Sequence, residues 1–233
     1  MRITYVSSYE EMSRSALSIV KNAVHSSPSP QLILATGHSP LGLYQQMAQS
    51  KKDFQQLTVI KLDEWIGLPM DHPSTCEYFL QKHVLQPLEI PTEKYLSMSS
   101  ESDDPIAECD RIAEILNQRP PTDLCILGLG KNGHLGLNEP ASALSPACHL
   151  IELEPSSQQH DMLKNSKAEV TQGITLGIGE ILRSKKILLL ITGQGKQSVF
   201  DQLKKKEIST DLPASFLWLH PDVEVIVDQT HIQ

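Results

Sequence analysis

The chain lacks the marks of several protein classes at once. Its four cysteines, Cys76, Cys109, Cys125 and Cys148, contain no CxxC pair, so no zinc ribbon or dithiol motif is available. Two of them sit in apolar-periodic segments, where a cysteine serves as a small buried hydrophobe. Reduced thiols and a cytoplasmic location are therefore expected. No apolar run approaches the length of a membrane span, since LRSKKILLLITG is charged at its start and too short. The first residues, MRITYVSSYEEMSRS, have no apolar core or small-residue cleavage site, and no secretory signal is expected. Basic charge is scarce: 20 Lys and Arg stand against 28 Asp and Glu, a formal net charge of −8. Nucleic acid and anionic membrane both want a basic surface, so neither is expected as a partner. A local pocket can still be positive and take a small anionic substrate. His72, His83, His134 and His160 lack metal-ligand spacing and no HExxH occurs, so no metal is expected. No GxSxG is present for a hydrolase elbow.

What is present is an ordinary globular composition, 39% hydrophobic and 21% charged over 233 residues, long enough for one large α/β domain. Short apolar runs alternate with helix-period segments. ITYV (3–6), QLILAT (31–36), LTVIKLDEW (57–65), DLCILGLG (123–130), KILLLIT (186–192), SFLWLH and VEVIVD read as strands. Between them, SYEEMSRSALSIVKNAV, LGLYQQMAQ, TCEYFLQKHVLQPL as far as Pro87, DPIAECDRIAEILNQR and GQGKQSVFDQLKKK read as helices. In the fourth, Pro105 suits the first helical position, and Ile106, Cys109, Ile112 and Leu116 form one stripe. Alternation of this kind predicts βαβ units in a Rossmann-like three-layer α/β fold with a mostly parallel central sheet. Near-continuous apolar strands imply that both sheet faces are covered. SSPSP (26–30) is only a short loop, no repeat or linker is evident, and a single domain over 1–233 is the simplest organisation.

In such sheets ligands bind beyond the carboxyl ends of the strands, and four of these ends carry glycine or reactive polar groups. In ATGHSP, Thr36, Gly37, His38 and Ser39 open a helix, where free N–H groups and hydroxyls suit a phosphate. A plain cap by Ser39 with Pro40 in the first turn explains the same residues. In KLDEW, strict alternation sends Lys61 and Asp63 to one side and Glu64 to the other. A carboxylate at a pocket mouth can act as a general base, although a strand end reaching solvent is the commoner case. GLGKNGHLGLNEP (128–140) matches GxGxxG at Gly128, Gly130 and Gly133. The dinucleotide fingerprint fails, because a helix must follow and the next stretch has two prolines and no helical period. The Walker pattern fails too, since Lys131 precedes Asn132. His134 and Glu139 remain on the loop as an acid–base pair, or as polar groups of a surface loop. In ITGQGK, Lys196 starts a helix, against the macrodipole, which suits an anion sharing the site; an exposed lysine is the alternative.

ATGHSPLGLY, KLDEWIGLP, LGLGKNGHLGLNEP and TGQGK, in this order and spacing over most of the chain, resemble the glucosamine-6-phosphate deaminase/isomerase family. TCEYFLQKHVLQPL, DLCILGLGKNGHLGLNEP, QQHDMLK and PASFLWLH look most like its galactosamine-6-phosphate branch. GHxxxNEP is the specific signal. The resemblance implies an amino-sugar 6-phosphate as small-molecule partner, and ring opening, aldose–ketose isomerisation and loss of ammonia as the reaction. By the same resemblance, Asp63 moves the C2 proton, His134 assists ring opening and Glu139 supports it beside Asn132. Thr36, Gly37, His38, Ser39 and Lys196 would bind the phosphate, with Glu64 grouped among the substrate contacts. No cofactor is implied. The chain departs from some members in having Asn132 where they carry Asp, and in having no clear match to the phosphate-binding arginine, for which Lys164 is the candidate. A glucosamine-6-phosphate deaminase, a 6-phosphogluconolactonase-like hydrolase and a catalytically silent sugar-phosphate binder are the alternatives. The lactonases carry a loop closer to PDGHTASLFP, without the NEP glutamate. A homo-oligomer stays open, and 141–172 could form a lid.

Overall fold

Seven strands lie side by side and all parallel, in the order β1-β10-β9-β6-β2-β3-β5. They are β1 (Arg2–Val6), β2 (Gln31–Leu34), β3 (Thr58–Lys61), β5 (Tyr95–Leu96), β6 (Leu124–Gly128), β9 (Ile187–Ile191) and β10 (Val223–Asp228). The computed structural model describes residues 1–154, 161–163 and 170–232. Alternate side chains feed two cores. Ile33, Cys125, Leu127, Leu189 and Val225 pack on one face beneath α5 (Pro105–Gln118), α6 (Ile178–Leu182) and α7 (Gln197–Leu203). Leu32, Leu34, Val59, Ile126 and Leu188 pack on the other, beneath α1 (Tyr9–His25), α2 (His38–Gln49) and the segment from α3 (Cys76–Leu80) to α4 (Gln86–Leu88). The expected three-layer, single-domain α/β fold with a parallel central sheet is therefore observed. Among the described residues no helix is long and apolar enough to cross a membrane.

The sheet order runs outward in both directions from the β2/β6 boundary, where β2 leads to β3 on one side and β6 leads to β9 on the other. That boundary is the topological switch point, and its carboxyl edge is where a doubly wound sheet leaves a crevice.

Several local expectations are corrected. LTVIKLDEW is two strands. The chain breaks at Leu62, and β4 (Asp63–Trp65) leaves the parallel sheet to pair antiparallel with β8 (Gln172–Thr175), which pairs in turn with β7 (His149–Glu152). This small second sheet covers a separate core of Trp65, Leu68, Cys76, Leu137, Leu153, Leu163 and Val170. The stretch considered as a lid is thus anchored by β7 and β8, and 155–160 and 164–169 lie outside the described residues. SFLWLH is a 3-10 helix over Pro213–Leu219, not a strand. Its buried residues are Pro213, Ala214, Ser215 and Leu217, and Ala214 and Leu217 stand three apart, the period of that helix. The helix expected to stop at Pro87 continues to Leu88, because a π turn over Gln81–Leu85 widens it just before the proline. In α5, Cys109, Ile112 and Leu116 are buried, but Ile106 is 64% exposed, lying in the first turn beyond the edge of the core.

Candidate active site

Thr36 and Gly37 follow β2 at the switch point. Gly37 is the cap of α2 at φ 91°, with no side-chain cap bond. Ser39 therefore is not the helix cap. It is buried, and a Cβ on Gly128 at the end of β6 would lie 3.6 Å from its Cβ and Oγ, so the two strand ends meet here. The exposed His38 ring stacks on Tyr9, with centroids 4.7 Å apart, and the Tyr9 hydroxyl donates to the His38 carbonyl. The imidazole is thus occupied with α1, and what His38 offers the helix start is its backbone.

The break at Leu62 decides the orientation of the KLDEW residues. Lys61 Nζ lies 2.8 Å from Glu64 Oε2 and 2.9 Å from Glu77 Oε2, so Lys61 and Glu64 face the same way. The strict alternation expected from the sequence fails because β3 and β4 belong to different sheets. Glu64 is fully buried and also accepts from the backbone N–H groups of Trp65 (2.8 Å), Cys76 (2.9 Å) and Glu77 (2.8 Å). Its assignment as a substrate contact is corrected: its oxygens are filled by one ammonium and three amides, two of them from the first turn of α3. The Lys61 pKa is lowered by burial, and Glu64 and Glu77 more than reverse that, leaving it raised overall.

Asp63 stands apart from this network. Its Oδ1 takes only a weak hydrogen bond from Cys76 Sγ at 3.5 Å, and that sulfur accepts from Thr36 Oγ1 at 3.3 Å. Burial, then the charge of Glu64, push the Asp63 carboxyl up to about 6, while Cys76, His134 and Lys61 pull it back. A carboxylate held there is ionised near neutrality yet basic enough to take a proton. Burial and the neighbouring carboxylates push the Cys76 thiol well up, so it is a donor here and not a nucleophile. The sequence reading gave Cys76 no role of its own. Nothing local signalled that its sulfur would bridge Thr36 and Asp63.

The 128–140 loop brings its polar residues together. Asn132 Nδ2 donates to Glu139 Oε2 at 2.7 Å, His134 Nδ1 lies 3.2 Å from the same oxygen, and the His134 N–H donates to Asn132 Oδ1 at 3.2 Å. Glu139 is buried and His134 is 22% exposed in its side chain. A carboxylate facing Nδ1 favours the tautomer with the proton there, which leaves Nε2 as the basic nitrogen. Asn138 ties the loop down, donating to the Leu135 and Leu176 carbonyls. The glycines are steric requirements. A Cβ on Gly130 would stand 2.4–2.5 Å from the His134 ring, and one on Gly136, at φ 59°, would stand 3.3 Å from Asp63 Oδ2. The Gly130→Ala variant is expected to lose about 1–3 kcal/mol of stability in urea denaturation. An unchanged midpoint would mean that the ring swings aside freely.

Lys196 follows β9, in a loop whose Gly193 and Gly195 have φ of 95° and 80°. Lys131, from the β6 loop, lies across it: its Cε would be 3.9 Å from a Cβ on Gly195. Burial first, and then the charge of Lys131, lower the Lys196 ammonium to about 8. Lys131 had no role in the sequence reading beyond failing the Walker pattern. Lys164, the candidate for the family arginine, lies outside the described residues. Among the described residues no group of three His, Cys, Asp or Glu could hold a metal.

A buried basic carboxylate, a carboxylate-held imidazole and two ammonium groups, on segments that follow β3, β6 and β9 of a doubly wound sheet, are groups of the kind acid–base chemistry on an anionic substrate uses. The family follows from comparison. Residues 6–227 match the family of glucosamine-6-phosphate isomerases and 6-phosphogluconolactonases, and the chain belongs to it. "Putative deaminase AgaI" of Escherichia coli (strain K12) is 44% identical over 227 residues, covering 96% of this chain and 90% of that protein. The glucosamine-6-phosphate deaminase of Geobacillus sp. (strain WCH70) is 36% identical over 235 residues, covering 98% and 94%. The solved structure of a monomeric glucosamine-6-phosphate deaminase superposes with a TM-score of 0.93 at 33% identity, covering 98% of each chain. The 6-phosphogluconolactonase from Trypanosoma cruzi, at 18% identity and a TM-score of 0.81 over 97% and 93%, shares the fold.

Proposed function

We propose that this protein is an amino-sugar 6-phosphate deaminase/isomerase, converting galactosamine 6-phosphate and water to tagatose 6-phosphate and ammonia. The observation that carries this reading is the Asn132–His134–Glu139 cluster, whose charge is felt at a buried Asp63 with a carboxyl near 6. His134 Nε2 exchanges a proton with the sugar ring oxygen and the C1 hydroxyl, opening the ring to the aldehyde. The aldehyde acidifies the C2 proton. Asp63 takes that proton and returns it at C1, while the amino group gives up a proton and the former aldehyde oxygen gains one, which leaves a C1 alcohol and an imine at C2. Water adds to the imine carbon and ammonia departs. Glu139 and Asn132 orient the imidazole. Lys196, with Thr36, Gly37, Ser39 and the His38 backbone, holds the phosphate, so that remote binding energy fixes C2 against the carboxylate. The names of the relatives and the family membership support the reaction class. The preference for the galacto sugar rests on the sequence likeness to that branch.

A similar structure is that of an enzyme described as monomeric, which supports a site completed within one subunit. All four cysteines are free and buried, which supports a reducing, cytoplasmic setting. The test is ammonia release from galactosamine 6-phosphate and glucosamine 6-phosphate, assayed side by side with purified protein. Turnover of the galacto sugar with little on the gluco sugar is expected. The reverse preference would retain the reaction and change the branch. Hydrolysis of 6-phosphogluconolactone with no ammonia from either amino sugar would replace the reading with the lactonase.

A further inference from the structure

We propose that Lys131 is the second cation of the phosphate site, and that it takes the substrate's phosphate jointly with Lys196 where other family members use an arginine. The inference rests on the sugar-phosphate reading above. Three observations on the free protein lead to it. The first is placement. β6 and β9 are neighbours, with Gly128 opposite Leu190, so the two loops that follow them leave the same edge of the sheet. Lys131 extends over Gly195, its Cδ and Cε 4.0 and 3.9 Å from where a Cβ would be, while Lys196 Cε lies 4.0 Å from the same point on Gly193. Both glycines have positive φ, and having no side chains they let the two lysine stems lie along the loop.

The second observation is charge without compensation. Neither lysine has a carboxylate partner among the described residues, and the acids of the flanking elements are engaged elsewhere. On α7, Asp201 takes Lys204 and Gln197. At the end of β10, Asp228 accepts from Thr192 and Thr230 and faces His231 Nδ1 at 2.8 Å. On the β6 loop, Glu139 accepts from Asn132 and faces His134. Lys196 feels the like charge of Lys131 after its own burial, and both lower its pKa. A phosphate dianion removes both penalties and gains charge-assisted hydrogen bonds. The third observation is linkage to the chemistry. Lys131 is adjacent to Asn132 and three residues before His134. A phosphate contact on Lys131 therefore braces the same short loop that holds the imidazole.

The test compares wild type with Lys131→Met, which keeps the aliphatic stem, and Lys131→Arg, which restores the charge. KM for the amino-sugar phosphate and competitive inhibition by inorganic phosphate are measured from about pH 6 to about pH 10, alongside direct phosphate binding by calorimetry. In Lys131→Met, KM and the phosphate inhibition constant are expected to rise about tenfold, with kcat changed far less, and Lys131→Arg is expected to recover most of the loss. A second signature separates charge from structure. Phosphate binding requires protonated Lys196, so wild-type KM rises as pH passes about 8. Removing the Lys131 charge lets Lys196 hold its proton longer, and that alkaline limb moves to higher pH even as affinity falls. Unchanged KM and phosphate inhibition in Lys131→Met, or an alkaline limb that stays put, would overturn the proposal. Phosphate binding that depends on Lys131 in a protein that releases no ammonia would overturn the deaminase reading and keep this one. Wild-type protein that binds no phosphate would remove both.

Discussion

Asp63→Asn is expected to lower kcat for ammonia release by about 10²–10⁴-fold and to leave sugar-phosphate affinity nearly unchanged. Asparagine matches the carboxylate in shape and can still accept from the Cys76 thiol, so the pocket is preserved. It cannot take the C2 proton. The phosphate contacts proposed above lie on the loops after β2, β6 and β9, on other strands than the one carrying Asp63, so binding measured by calorimetry should survive. Full turnover in this variant would remove Asp63 from the mechanism. In the wild type the same residue sets an acid limb. Its carboxyl stands near 6, and only the ionised form is a base, so kcat/KM should fall as pH drops through about 6. Glu64 helps to hold that value up, so Glu64→Gln should move the limb downward in whatever fraction of the protein stays folded.

The same shift makes a stability prediction of opposite sign to the activity. The Asp63 pKa is about 6 when folded against an ordinary 3.8, so the folded state binds the proton more tightly. The stability this gives is fully present below about pH 4 and is lost as pH rises through about 6. At neutral pH the buried charge costs up to about 3 kcal/mol, at about 1.4 kcal/mol per pKa unit. Asp63→Asn escapes that cost and should unfold at higher urea than wild type at pH 7, with the gap closing toward pH 4. A variant that is dead and more stable is the pattern expected of a strained functional carboxylate.

Much of this was legible in the sequence. Strand–helix alternation gave the parallel sheet, and the glycine-rich strand ends gave the edge where the site lies. NGHLGLNEP set Asn132, His134 and Glu139 on one loop, and the structure joins all three by hydrogen bonds. What stayed hidden depended on partners distant in sequence. Cys76 reaches Asp63 only because α3 packs against β4. Lys131 meets Lys196 only because β6 and β9 are adjacent. SFLWLH has a strand-like composition but a helical period of three. β7 and β8 are two four-residue strands in a sheet whose third member is β4, a strand that periodicity alone could not separate from β3.

Glu64 is the sharpest of these cases, and it carries the second large prediction. Period-2 reasoning assumes one continuous strand and sets Glu64 opposite Lys61, and the break at Leu62 brings the two to the same side instead. There it satisfies Lys61 and the first two amides of α3. Glu64→Ala would strand those amides and leave Lys61 with Glu77 alone, an imbalance that in buried ion pairs costs about 3–5 kcal/mol. Lys61→Met would leave Glu64 and Glu77, both bound to its ammonium at present, as two carboxylates facing each other without a counter-charge, at a similar cost. Because both variants break one network, the double replacement should cost less than the sum of the singles by more than about 1 kcal/mol in a denaturation cycle. Additive losses would mean that the three charges act independently. A loss below about 1 kcal/mol for Glu64→Ala would mean that solvent reaches the site. The network also explains why a carboxylate next to Asp63 does not share its chemistry. Two acids adjacent in β4 have different surroundings, Glu64 tied to Lys61 and three amides and Asp63 met by the Cys76 thiol, so one holds the fold and the other is left to accept a proton.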